Sequence, residues 1–187
     1  LNAKREQAEF SLFGQWKKDS QGSSTDIHGK LMLKDIEYEL EQLAYGSIIR
    51  DSGGVLDFDL NWLGGPHDFA FEHLNGEINT TIDDGYLAEV SDKGARLFSV
   101  LSLESLVRKL TLDFRDIFSD GMFYSDIKGD YHIKDGVLYT DNTRMNGTAG
   151  NLYIKGNTDF VTNILDYKMS YKPNLTSSLP VLAWIAT

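Results

Sequence analysis

Residues 55–63 read Val-Leu-Asp-Phe-Asp-Leu-Asn-Trp-Leu. Side chains along an extended strand alternate between two faces, so Leu56, Phe58, Leu60 and Trp62 share one side, and Val55, Asp57, Asp59 and Asn61 share the other. One greasy face and one wet face is the pattern of antiparallel sheet with a single solvated side. Gly64-Gly65-Pro66 then forces a turn before Phe69 and Phe71. The same period of two recurs in both directions from this strand. Phe10, Leu12, Gly14 and Trp16 fall on one face, Leu31 and Leu33 repeat it briefly, and Leu165, Tyr167, Met169 and Tyr171 alternate ahead of Pro173.

Two stretches look like copies of one hairpin. Gly76, Ile78, Thr80 and Ile82 lead to Asp84-Gly85 and Leu87, as Gly129, Tyr131 and Ile133 lead to Asp135-Gly136 and Leu138. Asp-Gly suits a tight turn because glycine accepts positive φ and aspartate tolerates it. A third variant, Gly150, Leu152 and Ile154, is expected to turn at Gly156-Asn157. Helical spacing occurs twice. Ile36, Leu40, Leu43 and Ala44 form one apolar stripe, with Asp35 or Glu37 at the end where the helix dipole favours a negative charge. A helical insert at about 94–119 carries a second stripe, Leu97, Val100 and Leu101, and a third, Leu103, Leu106, Val107 and Leu110, with Ser102 placed to cap it. The expected architecture is mainly β, a curved antiparallel sheet with two or three short α-helices at one end, and the whole of 1–187 is one domain.

Composition narrows the function. Eighteen basic against 28 acidic residues give a net charge of −10, which opposes nucleic-acid binding and docking on anionic lipid through bulk charge. There is no cysteine, so disulfide frameworks and thiolate metal sites are out. No run reaches the roughly 18 apolar residues of a membrane span. An anchor, if the protein has one, is expected outside this sequence.

Catalytic and metal chemistry find little footing. His28, His67, His73 and His132 lack metal-ligand spacing and read as surface or turn residues. Asp57 and Asp59 share a strand face, as glycosidase carboxylates can, but they alternate with Leu56, Phe58 and Leu60 and read as a solvated face. Asp83-Asp84-Gly85 lacks the later ligands of a calcium loop and reads as a turn. No enzyme, cofactor or metal is expected.

Three segments, in order, carry a resemblance: LSLESLVRKLTLDFRDIFSDG at 101–121, GDYHIKDGVLYTDNTRMNG at 129–147 and KMSYKPNLTSSLPVLAWIAT at 168–187. Together they resemble the C-terminal region of the AsmA-like family, in its YhdP-type branch. The resemblance implies an inner-membrane-anchored protein of Gram-negative bacteria that reaches across the periplasm as a long β-sheet groove. Its cargo would be phospholipid, carried between the inner and outer membranes. It also implies that 101–121, with Asp113, Arg115 and Asp116, is structural.

The aromatic and aliphatic strand residues then admit two readings. From composition alone they fit an ordinary sandwich core; under the resemblance they line a taco-like groove open to acyl chains. The groove residues expected are Phe10, Leu12, Trp16, Leu56, Phe58, Leu60, Trp62, Ile78, Ile133, Leu138, Leu152 and Ile154. Which face is concave is open, because a one-residue slip flips the set. Near the end, Leu179, Leu182, Trp184 and Ile185 either contact a membrane, where tryptophan is favoured, or pack on the helices at 97–110. The rival function is a periplasmic assembly or interaction module for outer-membrane biogenesis that holds no lipid.

Overall fold

The computed structural model describes residues 1–20, 22–43, 49–88 and 121–174. The insert at 94–119 and the apolar cluster Leu179, Leu182, Trp184 and Ile185 lie outside the described residues, as do Asp113, Arg115 and Asp116.

The described chain is one antiparallel sheet of eleven strands. They are β1 (Asn2–Lys4), β2 (Ala8–Lys18), β3 (Ser23–Leu33), β4 (Ile49–Arg50), β5 (Gly54–Leu63), β6 (Asn75–Ile82), β7 (Gly85–Leu87), β8 (Met122–Lys134), β9 (Val137–Gly147), β10 (Gly150–Asp159) and β11 (Ile164–Pro173). The main path runs β1-β2-β3-β5-β6-β8-β9-β10-β11. The sheet is open, with β1 and β11 at its edges. The short β7 pairs with β8 beyond the end of β6, and β4 pairs with β7. The sequence expectation of a mainly β, antiparallel fold holds.

The elements off the sheet sit at strand ends. Helix α1 (Ile36–Gln42) begins where expected: the Asp35 side chain accepts from the Tyr38 N–H and caps the first turn, and Ile36 is buried. After β5 the chain leaves the sheet at Gly64, whose φ of +101° only glycine takes without strain. Two 3-10 turns follow, Pro66–Asp68 and Phe71–His73. Asp135-Gly136 turns β8 into β9 with φ of 48° and 77°, the left-handed pair that a tight hairpin needs.

Two turn expectations fail. Gly156-Asn157 lies inside β10, where pairing with β11 is unbroken from Gly150 to Asp159 and the register against β9 shifts between Ile154 and Gly156. The step from Ile154 to Gly156 faces the longer step from Thr143 to Thr140, so the extra residue of this bulge is on β9 and the glycine lies opposite it. The reversal comes at 160–163, where the Asp159 carboxylate accepts from the N–H groups of Val161 and Thr162. Asp84-Gly85 likewise reverses nothing, since β6 and β7 both pair with β8.

Candidate functional site: an apolar sheet face

Cross-strand partners in register share a face, so the pairing settles what the face contains. One row runs Phe10, Leu31, Leu56, Thr80, Gly129; the next runs Leu12, Gly29, Phe58, Ile78, Tyr131. A third crosses most of the sheet: Gly14, Ile27, Leu60, Gly76, Ile133, Leu138, Thr158, Leu165. Trp16, Thr25 and Trp62 form a short row at one rim. Further along, Ile82, Ile127, Met145, Leu152 and Tyr171 align, followed by Thr143, Ile154 and Met169. All twelve residues expected in a groove therefore stand on one face, and no residue in these rows is charged.

The face has no dry interior among the described residues. Two small clusters are buried, Met122, Tyr124, Met145 and Leu152 in one and Trp62, Leu74 and Ile133 in the other. Leu12, Leu56, Phe58, Leu60 and Ile78 are only half-buried, and Trp16 is 53% exposed. No described side chain is completely buried. The threonines on the face are satisfied within it. The Thr25 hydroxyl donates to the Gly64 carbonyl (2.9 Å) and Thr80 to the Gly129 carbonyl (3.3 Å). Thr140 pairs with Thr143 and Thr158 with the Tyr167 phenol, both at 2.8 Å. Burial raises the pKa of Tyr124 and of Tyr167, outweighing the lowering by their hydroxyl neighbours Ser52 and Thr158, so neither phenol ionises near neutral pH.

The opposite face is wet and charged. Lys30 pairs with Asp57 (3.3 Å), Lys17 with Asp26 (3.5 Å) and His132 with Glu77 (3.6 Å), and His28 contacts Asp59. Asp57 and Asp59 thus sit in cross-strand ion pairs on a solvated face, and all four histidines are exposed, as the sequence indicated. Among the described residues, no group of three or more His, Asp or Glu is placed to hold a metal ion, and no helix is long and apolar enough to cross a membrane.

The structure adds residues that the sequence did not single out. Ile27, Ile82, Ile127 and Met145 complete the rows. After β5, a file of rings follows one rim, Trp62 to Phe69 (5.3 Å), Phe69 to Phe71 (5.3 Å) and Phe71 to Phe160 (5.4 Å). Phe69 and Phe71 are each 46% exposed. The Gly64-Gly65-Pro66 turn announced that the chain leaves the sheet here, but only the fold shows Phe160 arriving from the β10–β11 turn to extend the file.

Comparison with known proteins supplies the context for this face. The family described as "YhdP protein" matches residues 1–187. The intermembrane phospholipid transporter YhdP of Escherichia coli (strain K12) is 32% identical over 174 residues, which cover 92% of this chain and 14% of that protein's length. No solved structure matches the chain.

Proposed function

The chain belongs to the YhdP family, and from that premise we propose that its sheet is one stretch of a groove along which phospholipid crosses the periplasm between inner and outer membranes. The observation that supports this best is the set of uncharged rows that cross the sheet from β2 to β11, most of whose apolar side chains are half-buried and whose threonine hydroxyls are satisfied internally. Under this reading the sheet curves so that the apolar face becomes the concave floor. The protein catalyses no reaction, needs no cofactor, and belongs to a longer polypeptide anchored in the inner membrane.

The energetics fit such a surface. Burying a CH₂ group is worth about 0.8 kcal/mol. A phospholipid with roughly thirty methylenes thus meets a barrier on the order of 20 kcal/mol in crossing water alone. A continuous apolar floor removes most of that barrier. Specific polar hooks would slow release, and the internal pairing of the threonine hydroxyls leaves few of them. An assembly module with a dry core would need a second layer over this face, and the described residues provide none.

The reading is tested by native mass spectrometry and organic extraction of the purified protein, with photo-crosslinking residues placed along β5. Phospholipid should co-purify, and probes at Leu56 and Leu60 should capture it while probes at Asp57 and Asp59 do not. Capture from the Asp57 side alone, or no lipid at all, would overturn it.

A further inference from the structure

Several glycines on the floor lie under aromatic rings, and at Gly29 the ring itself is what a side chain would meet first. Gly29, Gly129 and Gly150 all have φ values open to any residue. At each of them an aromatic ring lies close to where the Cβ would go, and at Gly29 the ring supplies all of the nearest contacts. A Cβ on Gly29 would sit 2.7 Å from Cε2 of Phe58, directly across the strand pair, and closer still to the ring tip. At Gly129 it would meet Tyr131 Cζ at 3.0 Å and its hydroxyl at 2.8 Å, together with Thr143 Oγ1 at 2.5 Å; at Gly150 it would meet Tyr171 Cζ at 2.6 Å, together with the Lys172 carbonyl oxygen at 2.5 Å. Gly156, at positive φ opposite a bulge of β9, also lies under a ring, with Tyr167 Cδ1 at 2.9 Å, although there the Asp166 carbonyl oxygen is nearer still.

Side chains on a strand normally stand roughly perpendicular to the sheet. Here four rings on one face lean over a glycine instead, and Phe58 also stacks on Phe10 at 6.5 Å with planes 22° apart. A glycine in a strand interior weakens the strand and often marks a place where something must approach closely. Covering glycine with a ring recovers some of that stability. That gain alone does not require the pairs to recur on β3, β8 and β10 of the same half-open face.

Resting on the lipid-groove reading, we propose that these glycines are clearance residues: each receives an aromatic ring and holds it down, so that the floor stays low enough for acyl chains to slide over it. Gly29 with Phe58 is the clearest gauge point, because the three nearest atoms that a larger residue would meet there all belong to the ring. A methyl group at Gly29 would push the Phe58 ring upward into the path. The floor would remain as apolar as before but gain an obstruction. Passage is therefore governed by the height of the floor as well as by its polarity.

The test uses the full-length protein in cells, with a photo-crosslinking residue at Leu12 or at Ile78, which flank Gly29 and Phe58 in one row. Parental protein should capture phospholipid at both positions. Gly29→Ala should keep capture at one flank and lower it about tenfold at the other, the size of effect expected from a modest overpacking. Adding Phe58→Ala should restore capture at both flanks, because the ring that was lifted is gone. Unchanged capture in Gly29→Ala, or a loss that Phe58→Ala does not restore, would overturn the proposal. Should Gly29→Ala fail to fold, as judged by its thermal transition, Gly129→Ala combined with Thr143→Ala, which clears the Oγ1 nearest that Cβ, asks the same question with and without Tyr131→Ala and with the same outcomes. Absence of lipid at both positions in the parental protein would instead refute the groove reading, and this inference with it.

Discussion

Phe58 shows how much one side chain can report. It faces Leu56 and Leu60 along its strand, Gly29 and Ile78 across it, and no charged group in its row. In Phe58→Asp a carboxylate would have to shed water whenever an acyl chain passed, an unfavourable step of several kcal/mol. We expect lipid capture at Leu56 and Leu60 to fall by about tenfold or more, one decade corresponding to about 1.4 kcal/mol. Asp57→Asn, on the wet face, should leave capture unchanged. The floor was legible wherever apolar residues alternate without interruption, as in 55–63. It was less so on β3, where Thr25 and Gly29 interrupt the pattern although both stand on the floor. A threonine whose hydroxyl is satisfied inside the face reads as wet in the sequence and behaves as part of the dry side. The wet side has its own signature in Asp126. Its carboxylate accepts from the Asn146 amide at 2.9 and 3.1 Å, which lowers its pKa, with a further contribution from Lys128. A lowered pKa means stability that is complete above the unfolded value of about 3.9 and is lost as pH falls through the folded value. Asp126→Asn should remove part of the acid destabilisation below about pH 4, measured as denaturation midpoint against pH.

Turns were the least legible elements, and the reason is physical. Asp135-Gly136 and Asp84-Gly85 are the same two letters, yet the first closes a hairpin and the second interrupts a line of pairing along β8. What separates them is tertiary: Gly136 is held from both sides, donating its N–H to the Leu74 carbonyl and accepting from Phe160 N–H. A Cβ at Gly136 would also lie 2.9 Å from the Phe71 carbonyl carbon. Gly136→Ala should therefore cost more than the roughly 1–2 kcal/mol of a left-handed residue alone, read as a lower denaturant midpoint at unchanged slope. Gly156 misled for the opposite reason. Its Gly-Asn letters suggested a turn, but the strand opposite a bulge draws on the same freedom of glycine, and pairing with β11 continues past it through Asn157, Thr158 and Asp159. The helix at Ile36–Gln42 was legible because its cap, its apolar spacing and its position between two strands all agree.

At the scale of the molecule, the cross-strand ion pairs and the uncharged rows stand on opposite sides of a single sheet, although Phe13, Met32, Leu63 and Tyr139 leave some exposed apolar surface on the charged side. The cross-strand ion pairs belong to the wet side, while the apolar rows carry no charge. If lipid were held by its headgroup, capture would depend on screening and on headgroup charge. If it is held by its chains, neither matters much. At about 1 M salt the Debye length shrinks to about 3 Å, which suppresses exposed electrostatic contacts while leaving hydrophobic burial intact. Capture at Leu60 should therefore be the same at low salt and at about 1 M, within a factor of about two. It should also be alike for zwitterionic and anionic phospholipids of matched chains. Shortening both chains by two methylenes each removes four CH₂ groups, at about 0.8 kcal/mol apiece when fully buried. The half-buried floor recovers only part of that, so capture should weaken by at least tenfold while the headgroup series stays flat. A steep headgroup or salt dependence with indifference to chain length would assign recognition to the charged side of the sheet and remove the floor from the mechanism.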